Sequence, residues 1–78
     1  MRIVIGNLPD DVSEDGIRTA LSPFAPVEKI KLVKEGGAPG AVIEMEMTRA
    51  AAEALAQRIN GRLYKGRALS AWVPVRDW

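Results

Sequence analysis

Lys29 and Lys31 lie two positions apart in Val27-Glu28-Lys29-Ile30-Lys31-Leu32-Val33, and Glu44 and Glu46 lie two apart in Ala41-Val42-Ile43-Glu44-Met45-Glu46-Met47. Two is the period of an extended strand, so each pair projects from one side of a sheet. Cations held in that way can follow a row of anionic groups. Carboxylates held in that way can share acid–base work or act as partners of the cations across the sheet. Rings are few: Phe24, Tyr64, Trp72 and Trp78. An exposed ring offers a flat face for stacking, and a buried one is core. The last third of the chain adds Arg58, Arg62, Lys65, Arg67 and Arg76 against one acid, while residues 1–24 hold two basic and four acidic groups. The formal charge of +1 hides this asymmetry. It either presents an anion-binding face or simply keeps a small domain soluble.

The other half of the chemical inventory is missing. With no His there is no imidazole base, pH switch or ligand, and with no Cys there is neither a disulfide nor a thiolate metal site. No catalytic residues, metal or cofactor are expected. A chain of 78 residues with 47% apolar composition is one soluble domain, 1–78, too short for two cores and too hydrophobic for disorder. The apolar run at Met1-Arg2-Ile3-Val4-Ile5-Gly6 is too short for a signal peptide, and nothing later reaches membrane-spanning length, so a cytoplasmic protein without membrane contact is expected.

The elements that must position these groups follow from local pattern. Ile3-Val4-Ile5 is a β-branched run stopped by Gly6-Asn7-Leu8-Pro9. Ser13 caps a helix with acids in its first turn, Val12 staples onto Ile17, and Ile17, Ala20, Leu21 and Phe24 form its buried stripe, Phe24 being assigned to the core. Pro23 and Pro26 close it. Val27–Val33 alternates, with Ile30 and Leu32 inward and Lys29, Lys31 and Val33 outward. Glu35-Gly36-Gly37-Ala38-Pro39-Gly40 is a loop; it lacks Gly-Lys-Ser/Thr and precedes a strand pattern, so it is not a phosphate loop. Ala41, Ile43, Met45 and Met47 give a third strand its core side. Thr48 caps a second helix with Ala52, Leu55, Ala56 and Ile59 inward and Asn60-Gly61 as its exit. Lys65-Gly66 turns a short Arg62-Leu63-Tyr64 segment into a last strand, Ala68–Pro74, whose Leu69, Ala71 and Val73 face inward and Trp72 outward.

The order β-α-β-β-α-β is the ferredoxin-like split βαβ of the α+β class, a four-stranded antiparallel sheet with two helices on one face and the other face open. On that frame the chain resembles an RNA recognition motif domain from Arg2 to about Pro74. The hexapeptide of that family, aliphatic-aromatic-aliphatic-x-Asn-Leu, is similar to Ile3-Val4-Ile5-Gly6-Asn7-Leu8, with Val4 in the aromatic place. The octapeptide falls on Ala38-Pro39-Gly40-Ala41-Val42-Ile43-Glu44-Met45, where Ala41, Ile43 and Met45 keep the core skeleton and Gly40 and Val42 replace the two outward rings. Asn60-Gly61 and Gly66-Arg67-Ala68-Leu69 resemble the family's second-helix exit and final hairpin.

The resemblance implies single-stranded RNA, or single-stranded DNA, bound on the open sheet by stacked bases. Val4, Gly40 and Val42 cannot stack, and three lost contacts cost on the order of 3–9 kcal/mol. Strand parity and the family's strand order place Trp72 beside Val4 as the compensating ring, its other reading being an edge-strand packing residue. Trp78 folds back over the sheet in the favoured reading; the alternatives are stacking on a base or standing in solvent. Tyr64 is assigned to packing against the helix layer or to solvent. The candidate interface is Arg2, Val4, Asn7, Lys29, Lys31, Val42, Arg67, Trp72, Arg76 and Trp78, with Glu44 and Glu46 opposing phosphate as cross-strand partners of Lys29 and Lys31. The rival reading is a protein-interaction or self-association surface built from Val4, Val33, Val42 and Trp72, joining a partner or a homodimer. An acylphosphatase-like enzyme on the same strand order needs a cation in the loop after the first strand, where Asp10 and Asp11 stand instead.

Overall fold

The computed structural model describes residues 1–34 and 37–74. The β-branched run becomes β1 (Arg2–Gly6), followed by α1 (Glu14–Leu21), β2 (Val27–Val33), β3 (Gly40–Met45), α2 (Arg49–Ile59), a two-strand hairpin of β4 (Leu63–Tyr64) and β5 (Arg67–Ala68), and β6 (Ser70–Trp72). The main sheet runs β2-β3-β1-β6 with every neighbouring pair antiparallel. Ile3, Ile5, Ala41, Ile43 and Met45 project from one face and pack on Ile17 and Leu21 of α1 and Ala52, Leu55, Ala56 and Ile59 of α2. Both helices therefore cover the same face, as the two apolar stripes require.

The caps lie where local chemistry puts them. The Ser13 hydroxyl accepts from the Gly16 amide at 3.1 Å, and the Thr48 hydroxyl accepts from the Ala51 amide at 3.2 Å. Lys65 (φ 51°) and Gly66 (φ 82°) are both left-handed, the backbone that a two-residue hairpin turn demands.

Five expectations are corrected. The single last strand is two: β5 ends at Ala68, the Leu69 amide turns back to donate to the Arg62 carbonyl at 2.8 Å, and only Ser70–Trp72 joins β1. Gly40 is the first residue of β3 rather than loop: it pairs with Val33, and glycine suits the position because a Cβ there would approach the Ile5 carbonyl to 3.1 Å. At its other end β3 stops at Met45, leaving Glu46 and Met47 beyond the strand. Phe24 is not core. The helix closes at Leu21, where the Ser22 amide donates to the Arg18 carbonyl, so the next i+3 position is no longer helical. Phe24 is 43% exposed with the Arg58 guanidinium 5.4 Å from its ring centroid, and Ala20 is exposed as well. The Glu35–Gly36 part of the glycine-rich loop lies outside the described residues.

Candidate nucleic-acid interface

Parity and register together build the open face. Lys31 pairs with Val42, Val42 with Val4, and Val4 with Trp72, so one row crosses all four strands with a cation at one end and a ring at the other. These residues alternate with the core-facing ones and share the opposite side of the sheet. The adjacent row holds Lys29, Glu44 and Arg2, with Lys29 opposite Glu44 and Glu44 opposite Arg2. A bulge between Val27 and Lys29 resets β2 so that Val27 faces the core while Lys29 and Lys31 both face out. Val33 opposite Gly40, and Gly6 opposite Ser70, continue the face on the other side of the row.

Relief varies along the row. Val4 is 7% exposed, whereas Trp72 is 44% exposed on the edge strand. Its benzo ring leans across Gly6, where an added Cβ would lie 3.8 Å from Cζ3 and 4.0 Å from Cη2. The same Cβ would approach the Ser70 Oγ to 2.8 Å, and one on Gly40 would approach the Ile5 carbonyl to 3.1 Å. Gly6 and Gly40 are therefore positions where neighbouring groups leave little room for a Cβ, and the absent side chain at Gly6 lets the indole lie against the β1 backbone.

Of the expected opposition between carboxylates and lysines, half is present. Glu44 faces Lys29, but Lys31 faces Val42, and Glu46 lies past the end of β3. Lys31 thus has no carboxylate opposite it in the ladder, whereas Lys29 stands opposite Glu44.

Asn7 and Arg67 come to each other rather than to the row. Asn7 sits in left-handed backbone (φ 61°) directly after β1, and its Nδ2 donates to the Ala68 carbonyl at 2.7 Å. Arg67 donates from Nη2 to the Asn7 Oδ1 at 2.8 Å and from Nε to the Asn7 carbonyl at 3.3 Å. Three hydrogen bonds tie the hairpin to the end of β1, so these two side chains hold the frame. Arg76 and Trp78 lie outside the described residues. Tyr64 is half-buried near the first turn of α1, as the helix-layer reading expects; an added Gly16 Cβ would be 3.6 Å from its hydroxyl. Sequence reasoning missed Gly6 and Ser70 as parts of the face. Their signal was the strand-ending glycine and the parity of Ser70 with Trp72.

Among the described residues, no His, Cys, Asp or Glu cluster is arranged to hold a metal, and no helix is long and apolar enough to cross a membrane. An open sheet backed by two helices, with cations and a ring on its free face, defines a module that recognises another molecule by surface contact. A family model described as RNA recognition motif matches residues 3–70. The chain belongs to the RNA recognition motif family, whose members are RNA-binding modules and not enzymes.

Solved structures agree. The first RNA recognition motif of Plasmodium falciparum SR1, solved in complex with ACAUCA RNA, is 34% identical, with a TM-score of 0.70 over 94% of this chain and 82% of that one. The C. elegans NONO-1 homodimer is 31% identical, with a TM-score of 0.79 over 95% of this chain but only 28% of that much longer one. The Rna15 motif with bound GU RNA shares the fold at 22% identity, with a TM-score of 0.77 over 96% of this chain and 83% of that one. No curated protein matches by sequence.

Proposed function

We propose that this chain binds single-stranded RNA across the open face of its sheet, with weak base preference. The observation that carries the reading is the row Lys31, Val42, Val4, Trp72, one residue from each strand. Trp72 stacks one base at the β6 edge of the sheet, Val4 and Val42 give a second base an apolar floor, and Lys31 with Lys29 and Arg2 meets the phosphates. Asn7 and Arg67 hold the hairpin beside the face. One ring in place of several leaves hydrogen bonding and stacking too sparse to read a sequence, hence the weak preference. Family membership and the RNA-bound relatives from P. falciparum and Rna15 support this reading.

The test is an amide chemical-shift titration of the labelled protein with a randomised single-stranded RNA pool at low salt, repeated with a randomised single-stranded DNA pool. Salt-sensitive shifts at Val4, Lys31, Val42 and Trp72 are expected. Shifts confined to scattered surface charges would refute it.

A second reading has a specific support of its own. Val33 (38% exposed) and Trp72 bracket an aliphatic patch on the same face, and the 31% identical C. elegans relative is a homodimer. In that reading the patch pairs with a second copy or another protein. A sedimentation coefficient that rises with protein concentration, and falls back in a Val33→Glu variant, is its signature.

A further inference from the structure

The large apolar side chains left exposed among the described residues fall into two groups. Val33 and Trp72 belong to the sheet face; Phe24 and Leu63 do not. They border a groove on the helix side, about 230 Å³ in volume, between α1, α2 and the β4–β5 hairpin. Ile17, Leu55 and Ile59 line it from the core, and Leu63, 73% exposed, stands beside it with Tyr64. A solvent-facing Leu next to a half-exposed Phe and a buried aliphatic lining is the composition of an interface centre rather than of ordinary surface.

The rim fixes the sign of the occupant. Arg58 and Arg62 both line the groove. Among the described residues neither is paired with a carboxylate, while Lys65 next door is held by Asp11 and Arg49 by Glu53. The Arg58 guanidinium carbon lies 5.4 Å from the Phe24 ring centroid, and no acceptor among the described residues bonds to its side-chain N–H groups. Nothing among the described residues bonds to the Tyr64 hydroxyl, which adds one more donor. The groove is smaller than a drug-sized cleft and takes one large side chain.

We infer that this helix-side groove docks an acidic peptide segment of a partner protein, with one bulky apolar side chain seated between Phe24 and Leu63 and flanking carboxylates on Arg58 and Arg62. The aliphatic lining favours a side chain over a nucleotide, because bases gain from stacked rings that Leu55, Ile59 and Leu63 cannot supply. The site is on the opposite layer from the RNA face, so both can be filled together. Its failure leaves the RNA reading intact.

The probe is a blocked hexapeptide with a central Trp flanked by Asp and Glu, titrated into the labelled full chain. The expected result is a set of shifts at Gly16, Ala20, Arg58, Arg62 and Leu63, with Val4, Lys31 and Trp72 unmoved. A double Arg58→Gln, Arg62→Gln variant weakens binding about fivefold, as two exposed charge contacts should. Leu63→Ser, at a position too exposed to unfold the domain, weakens it too. Absence of groove shifts at millimolar peptide, equal binding of a peptide with Lys in place of the acids, or unchanged binding by the double variant overturns the inference. So does movement of the same groove amides by the RNA pool but not by the peptide.

Discussion

Val4 and Trp72 are direct partners across the β1–β6 ladder, one nearly buried and the other half exposed. The ring of this pair therefore stands on the edge strand and not at the sheet centre. Val4 occupies the central position where the family hexapeptide carries a ring, and the only described ring on this face comes from β6 instead. In the proposed complex a base stacked on Trp72 would sit at the β6 edge, and the nucleic-acid strand would run over aliphatic ground toward Lys31.

Trp72→Ala therefore removes the only stacking contact that the described face provides, and RNA affinity should fall about 5- to 150-fold, the equivalent of about 1–3 kcal/mol. Trp72→Phe should recover most of it. Val42→Phe should gain affinity by restoring a ring at a half-buried position of the same row. Fluorescence anisotropy with a labelled oligonucleotide checks all three, and unaltered affinity in Trp72→Ala sinks the stacking role.

The cations divide by their neighbours. Lys31 faces Val42, so Lys31→Gln should lower the salt slope of binding by about 0.7, one phosphate contact on a single strand. Lys29 faces Glu44, so Lys29→Gln should lower it less, and Glu44→Gln should raise affinity at low salt. Equal slopes for the two lysine variants would show that register does not matter to the phosphates.

Much of this face was legible because its determinants are local. Ser13 and Thr48 cap by side-chain reach, Lys65-Gly66 turns by backbone preference, and two-residue parity puts Lys29, Lys31, Val42 and Trp72 outward whatever the sheet order. What failed depended on where an element stops. Phe24 continues the helical stripe on paper, yet α1 ends three residues earlier and the ring leaves the core for the Arg58 side of the groove. Glu46 has the parity of Glu44, but β3 ends before it. The Asn7–Arg67 clamp joins residues 60 positions apart, and no local pattern announces it.

Asp11 and Lys65 form an exposed pair at 3.0 Å between the loop after β1 and the hairpin turn. The hydrogen bond from Lys65, and then its charge, holds the Asp11 carboxyl below its ordinary value, while the same contacts raise Lys65. A lowered carboxyl contributes stability above its unfolded pKa and loses it as pH falls through the folded one. A raised ammonium contributes below its unfolded pKa and loses it as pH rises through the folded one. The pair is thus complete at neutral pH and opens on the acid side through Asp11 and on the alkaline side through Lys65. Carboxyl-carbon NMR should show Asp11 titrating low in the native chain and returning toward 3.8 in Lys65→Met. Identical titration in both proteins would remove the pair from solution.

Asn7 separates a framework role from a ligand role. Its left-handed backbone costs a residue with a plain Cβ roughly 1 kcal/mol, and its amide bonds to Ala68 and Arg67 contribute about 1 kcal/mol more. Asn7→Gly loses only the bonds, whereas Asn7→Ala loses the bonds and acquires the strain. Thermal unfolding should therefore rank the native chain above Asn7→Gly and Asn7→Ala last, with steps of about 4–8 °C for each kcal/mol in a domain of this size. Because Asn7 is occupied by the hairpin and not aimed along the row, RNA affinity measured well below the midpoint should change less than about twofold in either variant. A variant that keeps its midpoint but loses affinity tenfold would make Asn7 a direct RNA contact and turn its bond to Arg67 into a resting state that the ligand displaces.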